Sequence, residues 1–416
     1  MRKLLTLLFI IPLFLTGQEK GIQFEHNGNW EKVKAKAKAE NKHIFVDCFT
    51  TWCGPCIWMA ENVFPQENVG SFFNANFVNL KLQMDQTKKD SDEVKSWYTE
   101  ATRFAKDYDV RAYPTFLIFS PDGELVHRMV GGGEAEAFIA RAKEGLDPET
   151  QYVTLVKKFE ANPKDAAIAK SLAKAAQSAY DEPMASKAIA AFIATAGVDG
   201  ALTSENIDLL LQGATSSKSA SYGIIKDNMK KVDLLLVERK SEKTSNDVLS
   251  AVLTRELIMP KMSRNEYTPV DFVELQKEIE KAHPYVDMKS SIALSKAQYY
   301  GFHKDWPIFK DAVNEFVQLS NKAVSPEMLN SFAWTIFENC NDAACITSAL
   351  TWSKRSLEGG ENAAYLDTYA NLLYKSGDKI NAIKWQEKAL GVASASEKEN
   401  YQVTLNKMKA GQPTWE

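Results

Sequence analysis

The stretch HIFVDCFTTWCGPC, residues 43–56, joins two patterns that rarely meet by accident. His43 to Phe49 is a nearly continuous apolar run, the signature of a buried strand. Cys53-Gly54-Pro55-Cys56 then suits a helix start. Proline is tolerated in a first turn, where its missing N–H would have had no partner. Two of the five cysteines thus stand three positions apart at an expected strand-to-helix junction. Cys53 at the helix N-terminus would meet unpaired N–H groups and the positive end of the helix dipole, which stabilise a thiolate. The thiolate is the attacking form of cysteine. Cys56, one turn further in, is placed to resolve the mixed disulfide that Cys53 forms. Paired cysteines also serve as structural clips and as zinc ligands. Zinc takes about four ligands, and the other close pair, Cys340 and Cys345, lies in a distant region. His26, His43, His127, His283 and His303 show no ligand spacing, so no metal is expected.

Working outward, Asn29 is a candidate cap for a helix with Trp30, Val33 and Ala37 facing the core. The Lys-Ala alternation from Lys32 to Ala39 mimics a strand period, but both residues favour helix. The Cys-Gly-Pro-Cys stretch opens a second helix. FVNLKL (Phe77–Leu82) reads as a strand, and Val94, Trp97, Tyr98, Ala101, Phe104, Ala105 and Tyr108 recur at helical spacing. TFLIF (Thr115–Phe119), the turn at Pro121-Asp122-Gly123 and Glu124–Met129 read as a hairpin. Gly131 to Gly133 end it, and a last helix runs to about Gly145. Residues 22–147 are therefore expected to form an α/β domain, a mixed central sheet flanked by helices.

These features together resemble thioredoxin, especially exported members of that superfamily. VDCFTTWCGPC places Asp47 where thioredoxins carry a buried carboxylate that moves the proton of the second cysteine. KLQMDQ (Lys81–Gln86) matches the strand end whose lysine pairs with that carboxylate. RAYPTFLIF (Arg111–Phe119) matches the segment with a cis-proline facing the cysteines, here Pro114 after Tyr113. MVGG (Met129–Gly132) puts Gly131 at the loop bordering the substrate groove. The resemblance implies a thioredoxin fold, Cys53 and Cys56 as redox disulfide, and Asp47 and Lys81 as proton-handling partners. It also implies Trp52, Gly54 and Pro55 as the active-site motif, and Tyr113, Pro114 and Gly131 as the groove. Extra residues between Gln86 and Val110 depart from a minimal thioredoxin and either reshape the groove or pack on the sheet. Cys48 reads as a buried free thiol.

From Pro148 onward strand signals nearly vanish and Ala/Leu/Lys/Glu-rich amphipathic segments dominate. Helical hairpins are expected over 148–328. Near the end, ALTWSKRSL (Ala349–Leu357) aligns with AIKWQEKAL (Ala382–Leu390) at an offset of 33, and Phe332-Ala333 with Tyr369-Ala370 at 37. Four extra residues are thus expected in the hairpin ENCNDAAC (Glu338–Cys345), where Cys340 and Cys345 are a candidate structural disulfide. A weaker third unit includes Ala297. Residues 329–410 resemble tetratricopeptide repeats, which implies an all-α helical-repeat domain with a surface for a protein or peptide ligand.

Arg2 and Lys3 precede an apolar run from Leu4 to Leu15, shorter than the ~20 residues a spanning helix needs. Residues 1–17 read as a signal peptide cleaved near Gly17, so the protein is expected to be exported, periplasmic or secreted. The alternative is an uncleaved anchor. Net charge is −4 over 416 residues, which gives no electrostatic reason to expect nucleic acid. The expectation is an exported thiol–disulfide oxidoreductase that reduces or isomerises protein disulfides, with no cofactor beyond its redox-active disulfide. Its partners would be protein substrates with disulfides and a membrane-bound electron donor or acceptor. The rival reading is a protein-binding adaptor or chaperone-like module in which the helical repeats carry the main role.

Overall fold

The structure, a computed structural model, describes residues 21–26, 28–262, 269–320 and 324–415. The expected signal peptide lies outside them. The chain divides into two compact units, 1–213 and 214–416.

In the first unit, β1 (His43–Phe49), β2 (Phe77–Gln83), β3 (Thr115–Phe119) and β4 (Leu125–Val130) form one sheet in the order β2-β1-β3-β4. β1 runs parallel to β2 and antiparallel to β3, and β3 to β4 is antiparallel. The sheet is therefore mixed, and the hairpin closes at Gly123, whose φ of 84° needs a residue without a Cβ. Helices α1 (Trp30–Glu40), α2 (Gly54–Asn62), α3 (Glu67–Asn76), α4 (Asp92–Ser96), α5 (Tyr98–Asp107) and α6 (Ala135–Glu144) flank it.

Alternation along β1 assigns these helices to two layers. Ile44, Val46 and Cys48 pack with Trp30, Val33 and Ala37 of α1 and with Ala101 and Phe104 of α5. Phe45 points the other way, into a cluster with Met59 of α2, Phe73 of α3 and Phe138 of α6. The residues added between Gln86 and Val110 thus pack on the sheet: Trp97 and Phe104 are buried there. Two helices, not one, connect β1 to β2. Pro65 stands between α2 and α3 and cannot extend a helix that must donate an N–H. Before α1, Phe24 makes a parallel bridge to Asn79, adding a short rung beside β2. That approach is close: a Cβ on Gly70 would lie 2.3 Å from the Gly21 carbonyl oxygen.

The first unit continues past residue 147 with α7 (Tyr152–Ala161), α8 (Ala166–Ser178), α9 (Glu182–Ala201) and α10 (Ile207–Gln212). α7 and α8 pack against β4, the edge strand of the sheet. The seam is polar as well as apolar. The Tyr152 N–H donates to His127 Nδ1 at 3.1 Å, and Gln151 Nε2 donates to the Gly145 carbonyl at 3.1 Å. His127 is fully buried, and burial, helped by the nearby Arg141 charge, pushes its pKa down to about 4.

The second unit is helical throughout its described residues: α11 (Ala220–Asp227), α12 (Met229–Glu238), α13 (Ser245–Leu253) and α14 (Phe272–Ala282) lead into three hairpins. These are α15 (Lys289–Phe302) with α16 (Trp306–Leu319), α17 (Pro326–Asn339) with α18 (Ala343–Ser356), and α19 (Ala363–Lys375) with α20 (Lys379–Val392), followed by α21 (Lys398–Lys409). The hairpins begin at Lys289, Pro326 and Ala363, a period of 37 residues. Each turns in three residues and ends on an aspartate (Asp305, Asp342, Asp378) whose side chain caps the next helix. The expected four-residue insertion is absent from the Glu338–Cys345 turn. The offset of 33 matched α18 to α20 about one helical turn out of step, and residues one turn apart share a helix face. Small residues sit buried where paired helices meet, Ala297, Ala312, Ala333, Ala349, Ala370 and Ala382 among them.

Candidate active site

Cys53 is the N-cap of α2, and its extended backbone turns the chain from strand to helix. Its Sγ accepts the Cys56 N–H at 3.1 Å, so one orphan donor of the helix points at sulfur. Cys53 and Cys56 are joined in a disulfide, with Cα atoms 5.3 Å apart. Both are buried, while Trp52 before them is 70% exposed. Trp52 therefore stands out beside the disulfide and does not pack in the core. Its ring lies edge-on to Tyr113, with centroids 5.9 Å apart, and the Tyr113-Pro114 peptide is cis. Ile57 and Trp58, which follow Cys56 in α2, are also exposed, so apolar side chains reach solvent on both sides of the motif in sequence.

Asp47 sits inside β1, six residues before Cys53, and is buried. Its Oδ1 has no hydrogen-bond partner. Burial pushes its pKa up to about 7, opposed by the charge of Lys81. Lys81 is its register partner on β2. The Lys81 ammonium lies over Phe49, 4.6 Å from the ring centroid, with Phe24 and Phe64 at 5.9 and 5.8 Å. It also borders a cavity of about 530 Å³ walled by Ile22, Phe24, Val94 and Trp97. The charge thus lies among three aromatic rings at the edge of that cavity.

Gly131, with φ of 83°, donates its N–H to the Pro114 carbonyl at 2.9 Å. Sequence patterning missed three supports of this region. Asp85 accepts the Thr51 N–H at 3.0 Å and the Thr51 hydroxyl, anchoring the loop that carries Trp52. Asp90 gathers Gln83, Thr87 and Tyr98, and those hydrogen bonds hold its carboxyl well below the usual range. Arg141 donates to the Val130 and Gly131 carbonyls. All are contacts between residues far apart in sequence or across a loop, and no local period encodes them.

The cysteines outside the motif stay apart from it. Cys48 is a buried free thiol with its pKa raised, first by burial and then by Asp47. Cys340 and Cys345, the candidate structural disulfide, are instead two buried free thiols at the turn between α17 and α18. Burial and the contact with Cys340 push Cys345 up to about 12. Among the described residues no cluster of metal-ligating side chains occurs.

A family model described as a thioredoxin-like domain matches residues 30–145. Thioredoxin-2 of Pyricularia oryzae is 39% identical over 95 residues, covering 23% of this chain and 44% of that protein. The chain therefore spans less than half of that relative. A thioredoxin-like protein of Synechocystis sp. is 34% identical over 98 residues, covering 24% of this chain and 76% of that protein. A candidate disulphide-isomerase of Bacteroides thetaiotaomicron, solved in solution, is 36% identical, covering 31% of this chain and 97% of that one, with a TM-score of 0.26.

Proposed function

The chain belongs to the thioredoxin-like family through its N-terminal domain, and from that premise we propose that it is an exported protein-disulfide reductase or isomerase. One observation carries the reading: a Cys53–Cys56 disulfide at the start of α2, six residues after the buried Asp47, whose Oδ1 has no hydrogen-bond partner. In the reduced enzyme the Cys53 thiolate attacks one sulfur of a substrate disulfide. A Cys53–substrate bond forms, the substrate S–S bond breaks, and the first substrate thiolate leaves. Asp47 takes the proton of Cys56. Cys56 then attacks Cys53 Sγ, re-forming the Cys53–Cys56 bond and releasing the second substrate thiolate. Two electrons pass from the dithiol to the substrate; the Cys56 proton goes to Asp47, and the two leaving substrate thiolates take up protons from Asp47 and from water. A carboxyl with its pKa near 7 suits that proton transfer, because it gains and loses a proton near neutral pH.

Tyr113, Pro114, Gly131 and the exposed Trp52, Ile57 and Trp58 supply the surface on which a substrate segment rests. Outside the cytoplasm the oxidised pair needs electrons from a membrane-bound donor. The 37-residue hairpins favour a second role, receiving a protein or peptide on the helical surface.

Reduction of insulin by dithiothreitol in the presence of the full chain tests the reading. Cys53→Ser abolishes the catalysed rate, and Cys56→Ser accumulates mixed disulfides with the substrate. An inert, folded wild-type chain overturns it. A Cys53/Cys56 double variant that keeps the full cellular role would instead support the adaptor reading.

A further inference from the structure

Arg141 ties three separate pieces of the first unit together. Its Nη2 donates to the Val130 carbonyl at 2.8 Å and its Nη1 to the Gly131 carbonyl at 3.0 Å. Its Nε donates to Ser178 Oγ at 3.3 Å, on the last residue of α8. One planar guanidinium thus holds two successive carbonyls at the end of β4 and a hydroxyl of the appended helices. A fork of fixed donors suits this, and a lysine could not reproduce it.

The loop so held touches the redox site on two sides. Gly131 donates to the Pro114 carbonyl, next to Tyr113 and its contact with Trp52. On the other side, a Cβ on Gly132 would lie 3.0 Å from Met59 Sδ and 3.9 Å from the Pro55 carbonyl oxygen. The Gly133 N–H points at Met59 Sδ, 3.4 Å away. Pro55 and Met59 belong to α2, the helix that starts at the disulfide. The position of Val130–Gly131 therefore sets the spacing between the Pro114 segment and the cysteine helix.

We propose that α8 is part of the substrate site: Ser178 orients Arg141, Arg141 fixes the Gly131 rim, and the appended helices thereby set how tightly the dithiol receives a peptide disulfide. This rests on the oxidoreductase reading. Arg141 and Ser178 are positioning residues, since neither touches the disulfide. A minimal domain ending after α6 would keep the cysteines and lose the hydroxyl that holds the arginine.

The test uses the full chain with Ser178→Ala, Arg141→Gln and Arg141→Lys. Steady-state kinetics on a short peptide disulfide are paired with hydrogen exchange of the segment 128–134. KM rises about threefold in Ser178→Ala and about tenfold in Arg141→Gln, the size of one charge-assisted hydrogen bond, with Arg141→Lys between them. Turnover number and the Cys53–Cys56 potential stay put, and Gly131 exchange quickens in the same order. Unchanged KM in folded Arg141→Gln and Ser178→Ala overturns the proposal, as does a fall in turnover number with KM unmoved. Ser178→Ala removes a single contact at a helix end, so it keeps the test open if Arg141→Gln fails to fold. A wild-type chain inert toward the peptide overturns the oxidoreductase reading instead.

Discussion

Asp47 and Lys81 are side by side across the β1–β2 ladder, yet the ammonium lies over the Phe49 ring and makes no ion pair with the carboxylate within 4.0 Å. The carboxyl therefore keeps most of the cost of burial. Its folded pKa of about 7 stands above its ordinary 3.8. Between those values the folded chain holds a proton that the unfolded chain has released. Stability consequently falls as pH rises from about 4 to 7. Asp47→Asn removes that loss. It is expected to stabilise the oxidised protein by about 2–4 kcal/mol at pH 8 and by almost nothing at pH 4. Urea titrations at the two pH values check this. The same variant slows insulin reduction by about a hundredfold, because the proton of Cys56 has lost its acceptor.

His127 works in the opposite pH direction. Its folded pKa of about 4 lies below the ordinary 6.5, so below pH 6.5 the unfolded chain binds a proton that the folded chain refuses. Stability is full above pH 6.5 and falls as pH drops toward 4, by up to about 3 kcal/mol. Protonation also removes the acceptor that Nδ1 offers to Tyr152. Protection of the Tyr152 amide, relative to its intrinsic exchange rate, is expected to fall between pH 6 and 4, ahead of amides in β1. A Tyr152 amide as protected at pH 4 as at pH 7 would contradict this.

The exposed aromatics flanking the disulfide separate affinity from redox chemistry. Trp52 is 70% exposed and Trp58 39%, so Trp52→Ala changes stability by less than about 0.5 kcal/mol, and Trp58→Ala, with more buried surface to lose, by about 1 kcal/mol. Each raises KM for a peptide disulfide severalfold and leaves the potential of the pair near thioredoxin's own value of about −270 mV. Equilibration with glutathione measures that potential, and a value near −120 mV would point to an oxidase.

Alkylation of the reduced native chain is expected to label Cys53 first. The Cys56 N–H at the start of α2 points at Cys53 Sγ, whereas raised pKa values keep the buried Cys48 and Cys345 protonated at pH 8. They react only after denaturation. Peptide mapping by mass spectrometry reads the order directly.

Gly70→Ala probes the fold alone. The new methyl would meet backbone at Gly21, which cannot swing aside as a side-chain tip can. A loss of about 2–3 kcal/mol is expected in denaturant titration.

β1 and β3 were legible because they are nearly continuous apolar runs with side chains buried on both faces, as in TFLIF. Helix α1 was legible from its cap and from Trp30, Val33 and Ala37, all buried as expected. The site could be read because its residues fall in order along a family pattern. Three things escaped. Pro65 splits a helix that periodicity alone would join. The true repeat of the hairpins was hidden by a match one helical turn out of step, although Asp305, Asp342 and Asp378 mark it. Arg141, Asp85 and His127 act on partners 10 to 40 residues away in sequence, and hydrophobic spacing carries no information about such pairings.

The docking of α7 and α8 on β4 also decides where the protein can be cut. An uncovered edge strand offers a row of unpaired N–H and C=O groups to any neighbouring chain. A fragment ending at Asp147 would bare that edge together with His127, and would tend to associate through it. One ending after Gly213 keeps the edge sealed, so a well-behaved miniature of this chain has to carry four helices that lie wholly outside the redox motif.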